Sequence, residues 1–270
     1  EISSIGDNLD IYDVGGGRGE CSENGNVTCD SDADCDPWGG AYYGYCVFEE
    51  TTKEVSLPFS FRFYGVDYSS VSVSSNGWVA FGESELESFR NYPVPGAGGP
   101  SPMLAVFWDD LKTSNGGDVY TYTDPGNEYF IVEWSNVRTQ NYNSLNSFQA
   151  ILYNQSAPPY DDNEIKLQYK TFNNTSSGSY SGYTPIHGGY ATIGLENHTS
   201  EVGLEYSFYD EYPTAAMELD DHDALFITTR PSVDFSELTV PVSFMEDWNL
   251  IGLPVMVENP DYSFLFPDAI

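Results

Sequence analysis

Apolar and polar positions alternate with period two along much of the chain. Phe59, Phe61 and Phe63 fall on one side of their segment, and Ile165, Leu167 and Tyr169 do the same with Lys166, Gln168 and Lys170 opposite. Alternation over short runs predicts strands with one buried face. After an opening strand around 2–12, candidates follow at 54–64, 69–74, 77–82, 103–111, 118–123, 128–137, 147–154, 164–170, 190–196, 202–209 and 224–230. Gly, Pro, Asn and Asp separate them, so the expected fold is all-β: an antiparallel β-sandwich or jelly-roll-like domain. Within 71–82, two alternating runs flank Ser75-Asn76-Gly77. Asn and Gly tolerate positive φ, which predicts a tight hairpin there.

The interruptions divide the chain. Residues 93–100 combine donor-less prolines with permissive glycines and read as a surface loop; 171–189, rich in Asn, Ser, Thr and Gly, read as a second one. Asp161-Asp162-Asn163-Glu164 reads as a solvated turn. Residues 1–230 form the expected sandwich module, with a cysteine-bearing loop at 15–50. Beyond Arg230-Pro231 the character changes, and 231–270 reads as an extended β segment or the start of a second β module. Its apolar load includes Val240, Val242, Phe244, Trp248, Leu250 and Leu253. Such a segment packs on its own domain or completes the open sheet edge of another copy; repeated head to tail, the second contact builds a filament.

Composition narrows the function. With 270 residues the chain can bury one large core. Aromatic residues make up 16%, with 21 Tyr, a composition that suits twisted sheets better than helices. Nine basic residues stand against 42 acidic ones, a formal charge of -33. Nucleic acid is excluded as a partner, because neutralising phosphates needs a Lys/Arg-rich surface, and an anionic membrane would repel the chain. Self-repulsion of this size calls for salt or divalent counter-ions. No run approaches the apolar length of a membrane span, so no membrane insertion is expected. Glu1-Ile2-Ser3 lacks the basic start of a signal peptide, which suggests a mature, processed product.

Cys21, Cys29, Cys35 and Cys46 crowd into the 15–50 loop. An even number at short spacing points to two disulfides and an oxidising, extracellular compartment. A zinc site is the competitor, disfavoured by the spacing and by neighbouring hard Asp oxygens. Three pairings stay open. Sequons at Asn26, Asn154, Asn173, Asn174 and Asn197 add the expectation of a glycosylated cell-surface or secreted protein.

Asp30, Asp32, Asp34 and Asp36 recur at every second position, the spacing by which calcium loops direct alternate oxygens to one ion. The loop is not an EF-hand: counting from Asp30, its sixth position is Cys35 and its twelfth Ala41. Asp109-Asp110, and the cluster Glu218, Asp220, Asp221 and Asp223, either bind a cation or hold loop amides. Ca²⁺ is the expected cofactor. His187, His198 and His222 stand in no nucleophile or metalloprotease context, so no enzyme is expected. A glycosidase pair among so many acids is a matter of geometry. Trp38, Tyr42, Tyr43 and Tyr45 either stack on sugars or cover the disulfide loop.

Five segments carry a family resemblance: Ile2-Ser3-Ser4-Ile5-Gly6, Phe61-Arg62-Phe63-Tyr64-Gly65, Val73-Ser74-Ser75-Asn76-Gly77, Phe107-Trp108-Asp109-Asp110-Leu111 and Ala191-Thr192-Ile193-Gly194-Leu195-Glu196-Asn197. In this order they resemble a β-rich, nidogen-like module of large secreted proteins of bacteria and archaea, often appended to subtilisin-like or gingipain-like peptidases. The resemblance covers roughly residues 1–230. The resemblance, together with the cysteine loop, the sequons and the lack of a catalytic motif, leads to the expectation of a non-catalytic structural or adhesive subunit of a cell-surface or extracellular assembly; the apolar 231–270 segment makes other copies, and the aromatic groups make glycans, the expected partners. The alternative that the resemblance implies is an ancillary carbohydrate- or protein-binding domain of a secreted hydrolase.

Overall fold

The computed structural model describes residues 5–11, 52–114, 116–139, 143–175 and 189–230, and the backbone of 19–21, 24–29 and 46–47. The strands are β1 (Asp7–Asn8), β2 (Gly19–Cys21), β3 (Asn24–Cys29), β4 (Cys46–Val47), β5 (Thr52–Phe63), β6 (Val66–Ser74), β7 (Trp78–Phe81) and β8 (Met103–Trp108). They continue as β9 (Leu111–Lys112), β10 (Asp118–Thr123), β11 (Tyr129–Thr139), β12 (Leu145–Ala157), β13 (Asp162–Thr171), β14 (Thr192–Glu196), β15 (Gly203–Ser207) and β16 (Ala224–Ile227). Among the described residues there is no helix.

A seven-stranded sheet has the order β1-β10-β11-β12-β13-β16, with β9 also on β11; a six-stranded sheet has the order β15-β14-β8-β7-β6-β5. All pairings are antiparallel. The order is that of two successive meanders, β5 to β8 and β10 to β13, rather than the interleaving of a jelly roll. Strand β14 then returns to the first meander beside β8, and β16 to the second beside β13. A separate three-stranded sheet, β3-β2-β4, sets Cys21 opposite Cys46 in its backbone register. The side chains of all four cysteines, and with them the disulfides, lie outside the described residues.

The period-two pattern explains the core. Phe61 and Phe63 of β5 turn inward and stack on Phe81 of β7, with ring centroids 5.3 and 4.1 Å apart. Ile165, Leu167 and Tyr169 of β13 are buried, as expected. The two sheets share one cluster in which Phe107 of β8 stacks on Phe148 of β12 at 5.3 Å and Phe148 on Trp134 of β11 at 5.0 Å. Buried polar tips also cross between the sheets: Trp134 Nε1 donates to Ser74 O at 2.7 Å, and Tyr169 OH to Val106 O at 2.8 Å. A buried indole or phenol needs such a partner.

Two expectations change. The loop at 93–100 is not simply a surface excursion: it belongs to a stretch that covers the outer side of β7 and β8. A second core forms there from Trp78, Ala80, Val94, Met103, Ala105 and Trp108, and both indoles donate to the single carbonyl of Ser88, at 2.9 and 2.7 Å. Consequently β7 and β8 are buried on both faces. Nor is the 161–164 turn merely solvated. Asp162 Oδ1 accepts from Gly65 N and Asn163 Oδ1 from Arg62 N, both at 2.7 Å, tying the β12–β13 hairpin to the β5–β6 hairpin of the other sheet. Glu164 is buried and takes the fork of Arg230, with Nε donating at 2.6 Å and Nη2 at 3.0 Å.

Candidate functional site

Four of the five resemblance segments meet in the six-stranded sheet, and their roles there are structural. The hairpin closes through the three residues Ser75-Asn76-Gly77, with Gly77 at φ 75° and Asn76 outside the left-handed region. This is a three-residue turn with glycine last, not the two-residue turn that an Asn-Gly pair suggests. Its tip lies on β8: Gly77 O accepts from Val106 N and Phe107 N, both at 3.0 Å. Asn76 Oδ1 accepts from Leu111 N at 3.0 Å, and Asn76 Nδ2 donates to Glu87 O at 3.3 Å. Glu196 of β14 is buried and anchors the covering loop, accepting from Gly96 N at 2.8 Å and from the Ser101 hydroxyl.

The acidic candidates separate. Asp109 is fully buried; its Oδ1 accepts from Asp110 N at 2.8 Å, while Oδ2 has no hydrogen-bond partner. Burial pushes its carboxyl up to about 8, against a smaller lowering by the Asp110 amide. Burial therefore favours the protonated form of Asp109 well above the usual carboxylate range. Around 218–223 the carboxylates hold amides: Asp221 Oδ1 accepts from Phe172 N at 2.7 Å, and Asp223 Oδ2 from Asp220 N at 2.8 Å. Among the described residues no group of three or more His, Cys, Asp or Glu side chains could hold a metal ion. Asp30, Asp32, Asp34 and Asp36 lie outside the described residues, as do Trp38, Tyr42, Tyr43, Tyr45, His187 and the self-association set Val240, Val242, Phe244, Trp248, Leu250 and Leu253. Asn26 is described in backbone only. Of the other sequon residues, Asn154 and Asn173 are exposed, Asn174 is half-buried and Asn197 is buried.

The candidate site lies on the other sheet. With the inward positions of β10 to β13 spent on the core, their alternate residues form an outer face in two parallel rows. Register sets Tyr120, Glu133, Gln149, Gln168 and Ala224 side by side across five strands, and beside them Tyr122, Ile131, Ile151, Lys166 and Phe226. The first row is polar and internally bonded: Gln168 Nε2 donates to Gln149 Oε1 at 2.6 Å, and Gln149 Nε2 to Glu133 Oε2. Glu133 and Gln149 are buried, so the ladder fixes the orientation of the more accessible Gln168.

Tyr129 and Tyr153 join the second row in an unbroken band of rings. Tyr122 to Tyr129 and Tyr129 to Tyr153 are each 6.4 Å between centroids, and Tyr153 to Phe226 is 6.3 Å. Phe226 is 56% exposed, which no core role explains. Next to the band a cleft of about 270 Å³ is lined by Glu133, Gln149, Lys166, Gln168, Lys170 and His222. His222 is held at its mouth with φ 73°, its backbone N donating to Tyr169 O at 2.8 Å and its Nδ1 lying 3.0 Å from Lys170 O. This face escapes a sequence reading because its residues come from five strands, and only strand order places Tyr122 beside Ile131 and Phe226 beside Lys166. Tyr120 and Tyr122, both outward in one strand, are the local signal for it.

A family model described as NIDO related matches residues 47–230, about two thirds of the chain. The chain belongs to the NIDO-related family. No curated protein and no solved structure shows a match. The NIDO-related module is of an extracellular type, and it is all-β in two antiparallel sheets. The matched span contains both the structural junction at Asn76 and the whole aromatic face.

Proposed function

We propose that this NIDO-related module is a non-catalytic, adhesive and structural part of a cell-surface or extracellular assembly. In this proposal the outer face of the seven-stranded sheet makes the adhesive contact, and the apolar segment 231–270 joins the chain to other copies. The observation that carries it is the division of labour between the sheets. The segments that resemble other modules serve the interior of one sheet, whereas the accessible aromatic band and cleft occupy the other, where a scaffold can vary its contacts without losing its fold. The expected charge of the protein, strongly negative, suits a soluble surface layer in saline surroundings.

Labelling intact and permeabilised cells of the source organism with an antibody to this chain tests the placement. Signal on intact cells supports it; signal that appears only after permeabilisation contradicts it. A second reading draws on the same cleft and band: an ancillary binding domain that holds a substrate for a secreted hydrolase. The complete gene separates the two, because a peptidase or glycosidase domain beside these residues favours the second.

A further inference from the structure

The geometry points to a neutral polysaccharide chain as the ligand of the outer face, with sugar rings stacked on the Tyr122–Tyr129–Tyr153–Phe226 band and hydroxyls bonded in the cleft beside it. This assignment rests on that face being the adhesive surface and adds the class of its ligand. A pyranose presents an apolar C–H face and a rim of hydroxyls. It therefore needs an aromatic surface to lie on and, alongside, groups that both donate and accept. The band supplies the first, and it crosses from β10 to β16, four strand spacings or roughly 19 Å. That length suits a chain rather than a single sugar.

The cleft supplies the second. Glu133 and Gln149 orient Gln168, whose carboxamide offers both a donor and an acceptor, and Lys166, two residues from Gln168 on β13 and opposite Phe226 in register, lines the same cleft. Charge selects among sugar polymers. Lys166 and Lys170, two of only nine basic residues in the chain, share the cleft lining with Glu133 and Asp223, so the cleft is close to electrically balanced, while Asp124 and Glu128 stand near Tyr129 of the band and the chain as a whole carries -33. An acidic polysaccharide would approach against the field of the whole molecule; a neutral one would not. A protein partner could cover Phe226 but would also have to satisfy the polar row with matched groups set into the cleft.

Native affinity electrophoresis of the full chain tests this directly, in gels containing xyloglucan, mixed-linkage β-glucan, galactomannan or dextran, with alginate and pectate run in parallel. Retardation by at least one neutral polymer is expected. Tyr122→Ala, Gln168→Ala and the exposed Phe226→Ser should each weaken it about fivefold or more while remaining folded, Tyr122→Ala and Gln168→Ala at a somewhat lower melting temperature because Tyr122 packs on Ile131 and Ile151 and Gln168 bonds the buried Gln149. No retardation by any neutral polymer overturns the assignment, as does retardation by the acidic polymers alone. Retardation equal in wild type and in folded variants places binding elsewhere and overturns it too. Binding to cell envelopes that persists without polysaccharide retardation removes the glycan ligand while leaving the adhesive face intact.

Discussion

The side-chain oxygen of Asn76 accepts a 3.0 Å hydrogen bond from the backbone N–H of Leu111, across 35 residues of chain. With Asn76 almost fully buried, this bond ties the hairpin turn to the residue at which the chain leaves the six-stranded sheet for β9 on the other. Asn76→Ala would leave a buried amide unsatisfied, at a cost of about 1–3 kcal/mol. A lower urea midpoint at unchanged slope is the expected result; an unchanged midpoint would mean that water replaces the carboxamide without loss.

Gly77 and Gly116 separate two reasons for a glycine. Both have positive φ, but a Cβ on Gly77 would stand 1.9 Å from Phe107 O, while one on Gly116 meets nothing within 4 Å. Gly116→Ala should cost only the left-handed penalty of about 1–2 kcal/mol. Gly77→Ala must in addition push the turn off β8, and it should abolish folding or cost well beyond that. Equal losses in chemical denaturation would show that close approach to β8 is unimportant.

Asp109 makes stability depend on pH. Its folded value is raised from near 3.8 to about 8, so between those limits the folded state holds a proton that the unfolded state has released. The stability this contributes is complete below pH 4 and declines as pH rises through 8, at up to about 1.4 kcal/mol per pH unit. Asp109→Asn keeps an acceptor for the Asp110 amide without the titration. The variant should therefore gain on the wild type as pH rises from 5 to 8. Parallel stability curves for the two proteins would rule out a neutral Asp109.

Deleting 231–270 tests the proposed association between copies. A folded, monodisperse monomer by light scattering is expected from the shortened chain, against larger species from the full one. Identical size distributions would show that this segment does not join copies.

Much of the fold was legible from alternation alone, because strands with one buried face write their period directly into the sequence: β10 begins and ends where the pattern places it, and β5 and β13 shift by only one or two residues. Loops that act as lids were not. Residues 93–100 read as a surface loop because Gly and Pro hide the contribution of Val94, which is buried with Trp78 and Trp108. The 161–164 turn was misread for a related reason, since Asp162 and Asn163 find their partners on a hairpin about a hundred residues away. The aromatic face is the extreme case: its rows exist only once five strands are in register.

Co-sedimentation with isolated cell envelopes of the source organism tests the adhesive face most directly, comparing the full chain with a variant carrying Tyr122→Ser, Tyr153→Ser and Phe226→Ser. The wild type should sediment with the envelopes, and the folded variant should bind at least about tenfold more weakly, a loss of about 1.4 kcal/mol or more. Equal binding by the two proteins, at matched melting temperatures, would contradict an adhesive role for the outer face of the seven-stranded sheet.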